Sequence, residues 1–179
     1  INKKLFKKII IWMPTYRSSG KGEIRMDGVK KSPLPVLDSE KLVLFNSFLK
    51  SNKIYCIVKL HPMDSTSRDD LLDMSNILVI DNNFLMDKGI QLNSILAESD
   101  ILMTDYSSIF IDFMLLRKPM ILLADDIDEF KDSRGFIEDD IRSFMPVDFT
   151  ETYEDLILNL NNILENKYDH TYRNEDKFN

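Results

Sequence analysis

The sequence predicts an α/β fold, a doubly wound, Rossmann-like sheet of mainly parallel strands, and three observations carry that expectation. Short apolar runs rich in β-branched residues recur at Ile9–Met13, Tyr55–Leu60, Ile77–Ile80, Ile101–Met103 and Met120–Leu123. Amphipathic stretches lie between several of them, and polar residues gather just after them. Strands covered on both faces read as unbroken apolar runs, and strand–helix alternation packs as right-handed parallel units.

Taken in order, Ile9–Met13 reads as the first strand, which Pro14 ends before Thr15, Tyr16 and Arg17. Ser18–Pro35 holds three glycines and two prolines and reads as a long loop, either functional or a surface excursion. Asp38 and Ser39 are N-cap candidates for a helix reaching about Lys50, with Leu42, Phe45 and Leu49 on one face. Tyr55–Leu60 is a strand interrupted only by Lys59, and His61 and Pro62 follow it. Asp69–Met74 reads as a short helix, Ile77–Ile80 as the third strand and Asp81–Asp87 as a turn. Ile90, Ile95, Leu96 and Ala97 suggest a helix before the stretch Ile101–Leu122, which reads as strand, polar turn, helix, strand. Asp125–Lys131 reads as a short acidic helix, Arg134–Phe136 as a loop and Pro146 as the end of another turn. Glu151–Leu164 carries Leu156, Leu160, Ile163 and Leu164 on one helical face. The expected organisation is one domain over residues 1–165 and a frayed polar tail over 166–179.

Composition narrows the function. With 44% hydrophobic and 30% charged residues the chain is of globular type, and a net charge of −7 argues against a general nucleic-acid partner. Cys56 is the single cysteine, inside an apolar run, so a buried structural thiol in a reducing compartment is expected. No apolar run approaches the roughly 18 residues of a membrane span. The start, INKKLFKKIII, imitates a signal peptide, but Trp12, Pro14 and Arg17 follow without a small-residue cleavage site. It has no initiator Met, and the chain is expected to be a fragment.

In a doubly wound sheet ligands bind beyond the carboxyl ends of the strands. That rule gives the polar clusters one address. Thr15 and Arg17 follow the first strand, His61 the second, Thr104–Ser108 the fourth, and Asp125 and Asp126 the fifth. There is no Walker A motif, no G-x-G-x-x-G and no metal-ligand spacing. Each candidate has two readings. Arg17 is a surface ion pair or a fork for phosphate. His61 is a structural histidine or a ligand-edge group. Asp105 is an N-cap, a general base or a hydroxyl acceptor, and Ser107 is a cap or part of an anion cradle, since a helix start offers unpaired N–H groups. Arg134 beside Gly135 is a loop ion pair or a place where a ligand approaches closely. Asp125, Asp126 and Asp128 are a helix-start cluster or hard-cation ligands.

The ordered set MPTYR (Met13–Arg17), KLHP (Lys59–Pro62), TDYSS (Thr104–Ser108) with Phe110, Asp112 and Phe113, KP (Lys118–Pro119) and RGF (Arg134–Phe136) resembles the CDP-glycerol glycerophosphotransferase family. This family holds the teichoic acid primases and polymerases of Gram-positive bacteria and their capsule-associated relatives. The resemblance runs from about Lys8 to Leu164. It implies the C-terminal, nucleotide-binding half of a GT-B fold, with an N-terminal domain of the same protein missing from this chain.

It also implies a reaction. An acceptor hydroxyl, on a polymer or a lipid-linked primer, attacks the β-phosphorus of CDP-glycerol, and CMP leaves. By the match Ser107, Ser108 and the helix start hold the pyrophosphate, Arg17 and Arg134 neutralise charge, Thr104 and Gly135 are further substrate-binding residues, His61 contacts phosphate or assists proton transfer, and Asp105 orients the site or binds a hydroxyl. No cofactor and no metal are expected. The implied location is cytoplasmic, peripheral on the inner face of the membrane in the longer protein. One departure concerns the donor: the family commonly has Pro-Gly-Pro after the RGF region, where this chain has Met145-Pro146-Val147, and a CDP-ribitol donor stays open. The other classes are a GT-B glycosyltransferase using a nucleotide sugar and a non-catalytic nucleotide-binding module.

Overall fold

The computed structural model describes residues 3–15, 34–60, 71, 74–133, 135–136, 138, 140–169 and 171–177. The strands are β1 (Lys8–Met13), β2 (Ile54–Lys59), β3 (Ile77–Ile80), β4 (Ile101–Thr104), β5 (Met120–Leu123) and β6 (Phe149–Thr150). The helices are α1 (Ser39–Ser51), α2 (Asn82–Lys88), α3 (Leu92–Glu98), α4 (Ile109–Met114), α5 (Ile127–Ser133), α6 (Ile141–Phe144) and α7 (Tyr153–Leu164). Short 3₁₀ turns cover Lys3–Leu5 and Glu175–Lys177. Among the described residues the strands form one six-stranded sheet in the order β3-β2-β1-β4-β5-β6, with every neighbouring pair parallel. The order reverses direction between β1 and β4, the topological switch point of a doubly wound fold.

Alternation along the strands divides the core. One face collects Ile10, Trp12, Cys56, Val58, Ile101, Met103, Ile121 and Leu123 under Phe45 and Leu49 of α1 and Leu156, Leu160 and Ile163 of α7. Trp12 meets Phe45 edge-on, with ring centroids 6.0 Å apart. The other face collects Ile11, Leu102, Met120 and Leu122 under Leu96 of α3 and Phe110, Phe113 and Met114 of α4. Ile9, Ile57 and Ile80 extend it under Leu85 of α2. β4 and β5 are buried at every position, which accounts for their unbroken apolar runs. Cys56 lies within this packing, where burial pushes its thiol up from the ordinary value and makes it a poor nucleophile.

Side-chain caps set the helix starts. The Asp38 carboxylate accepts the Lys41 N–H at 2.8 Å and starts α1, and the Thr152 hydroxyl oxygen accepts the Asp155 N–H at 3.1 Å and starts α7. Asp81–Asp87, expected to be a turn, is mostly α2. Asp81 caps its start by accepting the Phe84 N–H at 2.8 Å, and Gly89 ends it in the left-handed region at φ 61°. The Asn82-Asn83 pair gives that segment a turn-like composition, but the flanking cap and glycine bound a helix. The acidic helix expected at Asp125–Lys131 runs instead over Ile127–Ser133. α6 and the two-residue β6 were not expected, and both are too short to show a period. Of the helix expected at Asp69–Met74 only Leu71, which is buried, and Met74 are described, and most of the Ser18–Pro35 loop lies outside the described residues.

The tail beyond residue 165 is not frayed over its described part. The Tyr168 hydroxyl accepts from the Met120 N–H at 3.2 Å and donates to the Met120 carbonyl at 3.0 Å. Tyr172 is buried and its hydroxyl donates to the Lys118 carbonyl. The Arg173 N–H donates to the Pro146 carbonyl at 2.8 Å, and the Asn174 amide donates to the carbonyls of Ser143 and Phe144. Two tyrosines, Tyr168 half-buried and Tyr172 buried, with hydroxyls that find backbone partners, outweigh the polar composition around them.

Candidate functional site

The site forms where β1 and β4 end side by side. Pro14 has no N–H to continue a ladder, so the chain leaves the sheet there. Thr104, the last residue of β4, is fully buried, and its hydroxyl donates to the Met13 carbonyl at 2.7 Å. That bond ties the two strand ends together. Thr104 was expected among the substrate-binding residues, but its hydroxyl is turned to the backbone of β1.

Asp105 follows, also fully buried. Its carboxylate accepts the Thr15 N–H at 2.8 Å, the Thr15 hydroxyl at 2.5 Å and the Ser107 N–H at 3.3 Å. Charge-assisted bonds of this kind are the strong ones, and a buried carboxylate needs them. Neither Asp105 nor Ser107 caps α4, as the sequence had suggested. The N-cap position is Ser108, whose side chain makes no capping hydrogen bond. Asp105 instead bridges the switch point, across 90 residues of sequence. Ser107 is half-buried and Ser108 is exposed at the start of α4.

Tyr106 points the other way. Its hydroxyl donates to the Asp126 carboxylate at 2.6 Å, just after β5. Its ring lies 4.4 Å from that of Phe130, 5.1 Å from Phe136 and 5.8 Å from Phe149, and Phe130 and Phe136 are 5.2 Å apart. This aromatic cluster brings the described part of the RGF segment against the TDYSS turn. Gly135 is exposed at φ 72°, and its N–H returns to the Phe130 carbonyl at 3.2 Å beyond the end of α5. A side chain there would have room, with the nearest described atom at 3.9 Å, so glycine is required by the backbone angle and not by crowding.

Three further carboxylates, Asp125, Asp126 and Asp128, were weighed as a helix-start cluster or cation ligands, and Asp128 is exposed on α5. Asp125 accepts the Val36 N–H at 3.1 Å, and Asp126 takes the Tyr106 hydroxyl. Val36 occupies a turn that closes from Leu34 to Leu37 at φ 60°, a strained angle for a β-branched residue. Among the described residues no group of three His, Cys, Asp or Glu side chains could hold a metal ion. Lys118 of the KP pair caps the carboxyl end of α3, with its ammonium 2.6 Å from the Ala97 carbonyl and 2.8 Å from that of Ser99. Arg17, His61 and Arg134 lie outside the described residues.

Lys59, part of the KLHP motif but given no role of its own, also reaches this edge. It is half-buried, and burial lowers its ammonium pKa from the ordinary value, with Asp81 offsetting part of that. Its position as the one interruption of an apolar strand was the signal in the sequence.

Residues 1–179 match the family described as CDP-glycerol:poly(glycerophosphate) glycerophosphotransferase. The teichoic acid ribitol-phosphate polymerase TarL of Staphylococcus aureus is 28% identical over 156 residues, which is 87% of this chain and 25% of that protein. The teichoic acid glycerol-phosphate primase of Bacillus subtilis is 30% identical over 132 residues, 74% of this chain and 29% of that protein. A solved structure of the wall teichoic acid polymerase TagF, in a substituted form, superimposes with a TM-score of 0.60 at 26% identity and covers 96% of this chain and 38% of that one. The chain therefore spans between a quarter and two fifths of the length of these relatives.

Proposed function

The chain belongs to the CDP-glycerol:poly(glycerophosphate) glycerophosphotransferase family, and from that premise we propose that it is the donor-binding part of a transferase that moves glycerol phosphate from CDP-glycerol to a hydroxyl of a teichoic acid-type polymer or its lipid-linked primer. The observation that carries this reading is the Asp105–Thr15 bridge at the switch point. It fixes a hydroxyl-rich turn where a doubly wound sheet binds its ligand.

In this reading the acceptor oxygen forms a bond to the β-phosphorus as the bond from that phosphorus to the CMP oxygen breaks. The acceptor proton passes to a base, which is not assigned to a residue. Such transfer depends on positioning and on neutralising charge that spreads over the phosphate oxygens. Ser107, Ser108 and the backbone at the start of α4 are the proposed pyrophosphate contacts. Arg17 and Arg134 supply positive charge, His61 contacts phosphate or carries a proton, and Gly135 gives the loop its turn. Thr104 and Asp105 support this set from beneath, because the Thr104 hydroxyl bonds to Met13 of β1 and the Asp105 carboxylate to Thr15 just beyond that strand. The acceptor side of the cleft is assigned to a part of the longer protein outside this chain. A lipid-linked acceptor would bring that protein to the inner face of the membrane. Among the described residues no helix is long and apolar enough to cross one.

A CDP-ribitol donor is the second reading, favoured by the ribitol-phosphate polymerase among the relatives. Calorimetric titration of this chain with CDP-glycerol, CDP-ribitol, CMP and a UDP-sugar tests the proposal. Cytidine nucleotides should bind and the UDP-sugar should not, and CDP-glycerol should bind more tightly than CDP-ribitol. Preference for the UDP-sugar would overturn the phosphotransfer reading in favour of a nucleotide-sugar enzyme. In the longer protein, loss of CMP release on Ser107→Ala separates an enzyme from a binding module.

A further inference from the structure

We propose that Lys59 is a phosphate-binding cation of this site, placed one strand beyond the switch point. It ends β2, at the edge where ligands of this fold bind. The ladder places it opposite Ile80 of β3, and Val58 before it opposite Trp12 of β1, so the next rung sets Lys59 beside Met13. Met13 in turn is opposite Thr104. Lys59 and Thr104 therefore share a rung and a face, two strands apart, which is about 10 Å between backbones. On that rung Ile80, Met13 and Leu122 are apolar, and Lys59 is the one charged residue.

Burial makes the charge informative. Lys59 is half-buried, and among the described residues its ammonium makes one hydrogen bond, a long one of 3.4 Å to the carbonyl of Leu60, the residue just past the strand. An ammonium has three donors and is strongly hydrated in water. Holding it partly dry against a single long contact is unfavourable, and a methionine of similar shape would fill the same space without that cost. A phosphate at the strand ends offers more than the described contacts supply: several acceptor oxygens with full negative charge, within reach of a four-carbon stem. Asp81, just past β3, offsets part of the lowering that burial imposes on this amine.

This inference rests on the phosphotransfer reading, and a phosphate there has two sources, the donor's pyrophosphate or a phosphodiester of the acceptor polymer. The test uses this chain and its Lys59→Gln, Lys59→Met and Lys59→Arg variants. Each is titrated calorimetrically with CDP-glycerol, with a synthetic glycerol phosphate oligomer and with cytidine, and each is checked for its thermal midpoint. Loss of a charge-assisted contact should weaken the affected phosphate ligand about tenfold in Lys59→Gln and Lys59→Met. Lys59→Arg should stay within about threefold of the parent, since it keeps the charge. Cytidine binding should not change. Because the charge is costly to bury, the midpoint of Lys59→Met should not fall, which removes misfolding as an explanation. Weakening confined to CDP-glycerol identifies the donor, and weakening confined to the oligomer identifies the acceptor. Unchanged affinity for both in a folded variant overturns the assignment. A parent chain that binds neither phosphate ligand sinks the phosphotransfer reading itself, and the role of Lys59 with it.

Discussion

Replacing Asp105 tests the bridge that organises the site. Its carboxylate takes three described donors: the Thr15 N–H at 2.8 Å, the Thr15 hydroxyl at 2.5 Å and the Ser107 N–H at 3.3 Å. In Asp105→Ala the hydroxyl can rotate toward another acceptor, but the two N–H groups cannot. Leaving buried donors unpaired costs about 1–3 kcal/mol each, so a loss of about 4 kcal/mol is expected. For a chain of 179 residues that lowers the thermal midpoint by about 8–16 °C. Asp105→Asn should be milder, about 1–2 kcal/mol. One amide orientation keeps an oxygen on the Thr15 N–H and gives the Thr15 oxygen a donor, and it opposes only the longer Ser107 contact. A double-mutant cycle with Thr15→Val isolates the hydroxyl bond. Thr15→Val should cost about 1–2 kcal/mol in the parent and almost nothing beside Asp105→Ala, a coupling of the same size. Urea unfolding followed by fluorescence reads all four variants, because Trp12 is the one tryptophan and is fully buried in β1. Additive losses, or an alanine no worse than the asparagine, would refute the bridge.

Tyr106→Phe keeps the ring in its aromatic cluster and removes the hydroxyl bonded to Asp126, so urea unfolding should show a loss of about 1–2 kcal/mol, and an unchanged midpoint would mean that this bond carries nothing. The Tyr172 hydroxyl is raised from its ordinary value chiefly by burial, with Tyr168 and Glu175 adding to the shift, so the stability it contributes is complete below about pH 10 and is lost as pH rises from there toward the folded value. Tyr172→Phe should therefore be less stable than the parent at pH 9 by urea unfolding, with the gap narrowing or reversing at pH 11, and a gap independent of pH would refute the burial of that hydroxyl.

The parts of this fold that could be read from the sequence are those whose cause is local. The runs Ile77–Ile80 and Met120–Leu123 match β3 and β5 at both ends, because strands covered on both faces have no reason to admit a polar residue. Asp38 was legible as a cap because its partner is three residues away. The address of the site was legible as well, since a doubly wound topology puts every strand end on one side. What spacing could not show is which way each residue of the turn faces. Asp105 stands two residues before Ser107 like a cap, and only the pairing of β1 with β4 makes Thr15 its partner. The tail was misjudged for a related reason, because Tyr168 and Tyr172 find their acceptors at Met120 and Lys118, about fifty residues away.

The turn after β4 divides its labour along the chain, and that division carries the strongest consequence of the structure. Asp105 is pulled toward β1 by Thr15, and Tyr106 is pulled toward β5 by Asp126 and the phenylalanines. The two anchors pull in opposite directions across the switch point, so the backbone between them and α4 has little freedom left. Ser107 and Ser108 come next, half-buried and exposed, with no capping duty for Ser108. Preorganised donors are worth most when their positions are fixed before the ligand arrives. Anchoring residues and ligand-facing residues should thus separate cleanly in experiment. Changes at Asp105 or Tyr106 should lower stability and nucleotide affinity together, because they loosen the scaffold. Ser107→Ala and Ser108→Ala should lower affinity while leaving the unfolding free energy within about 0.5 kcal/mol of the parent, as substitutions outside the core usually do. If the serine variants proved as destabilising as the anchors, the turn would be a packing element, and the pyrophosphate would have to be held elsewhere along the strand ends.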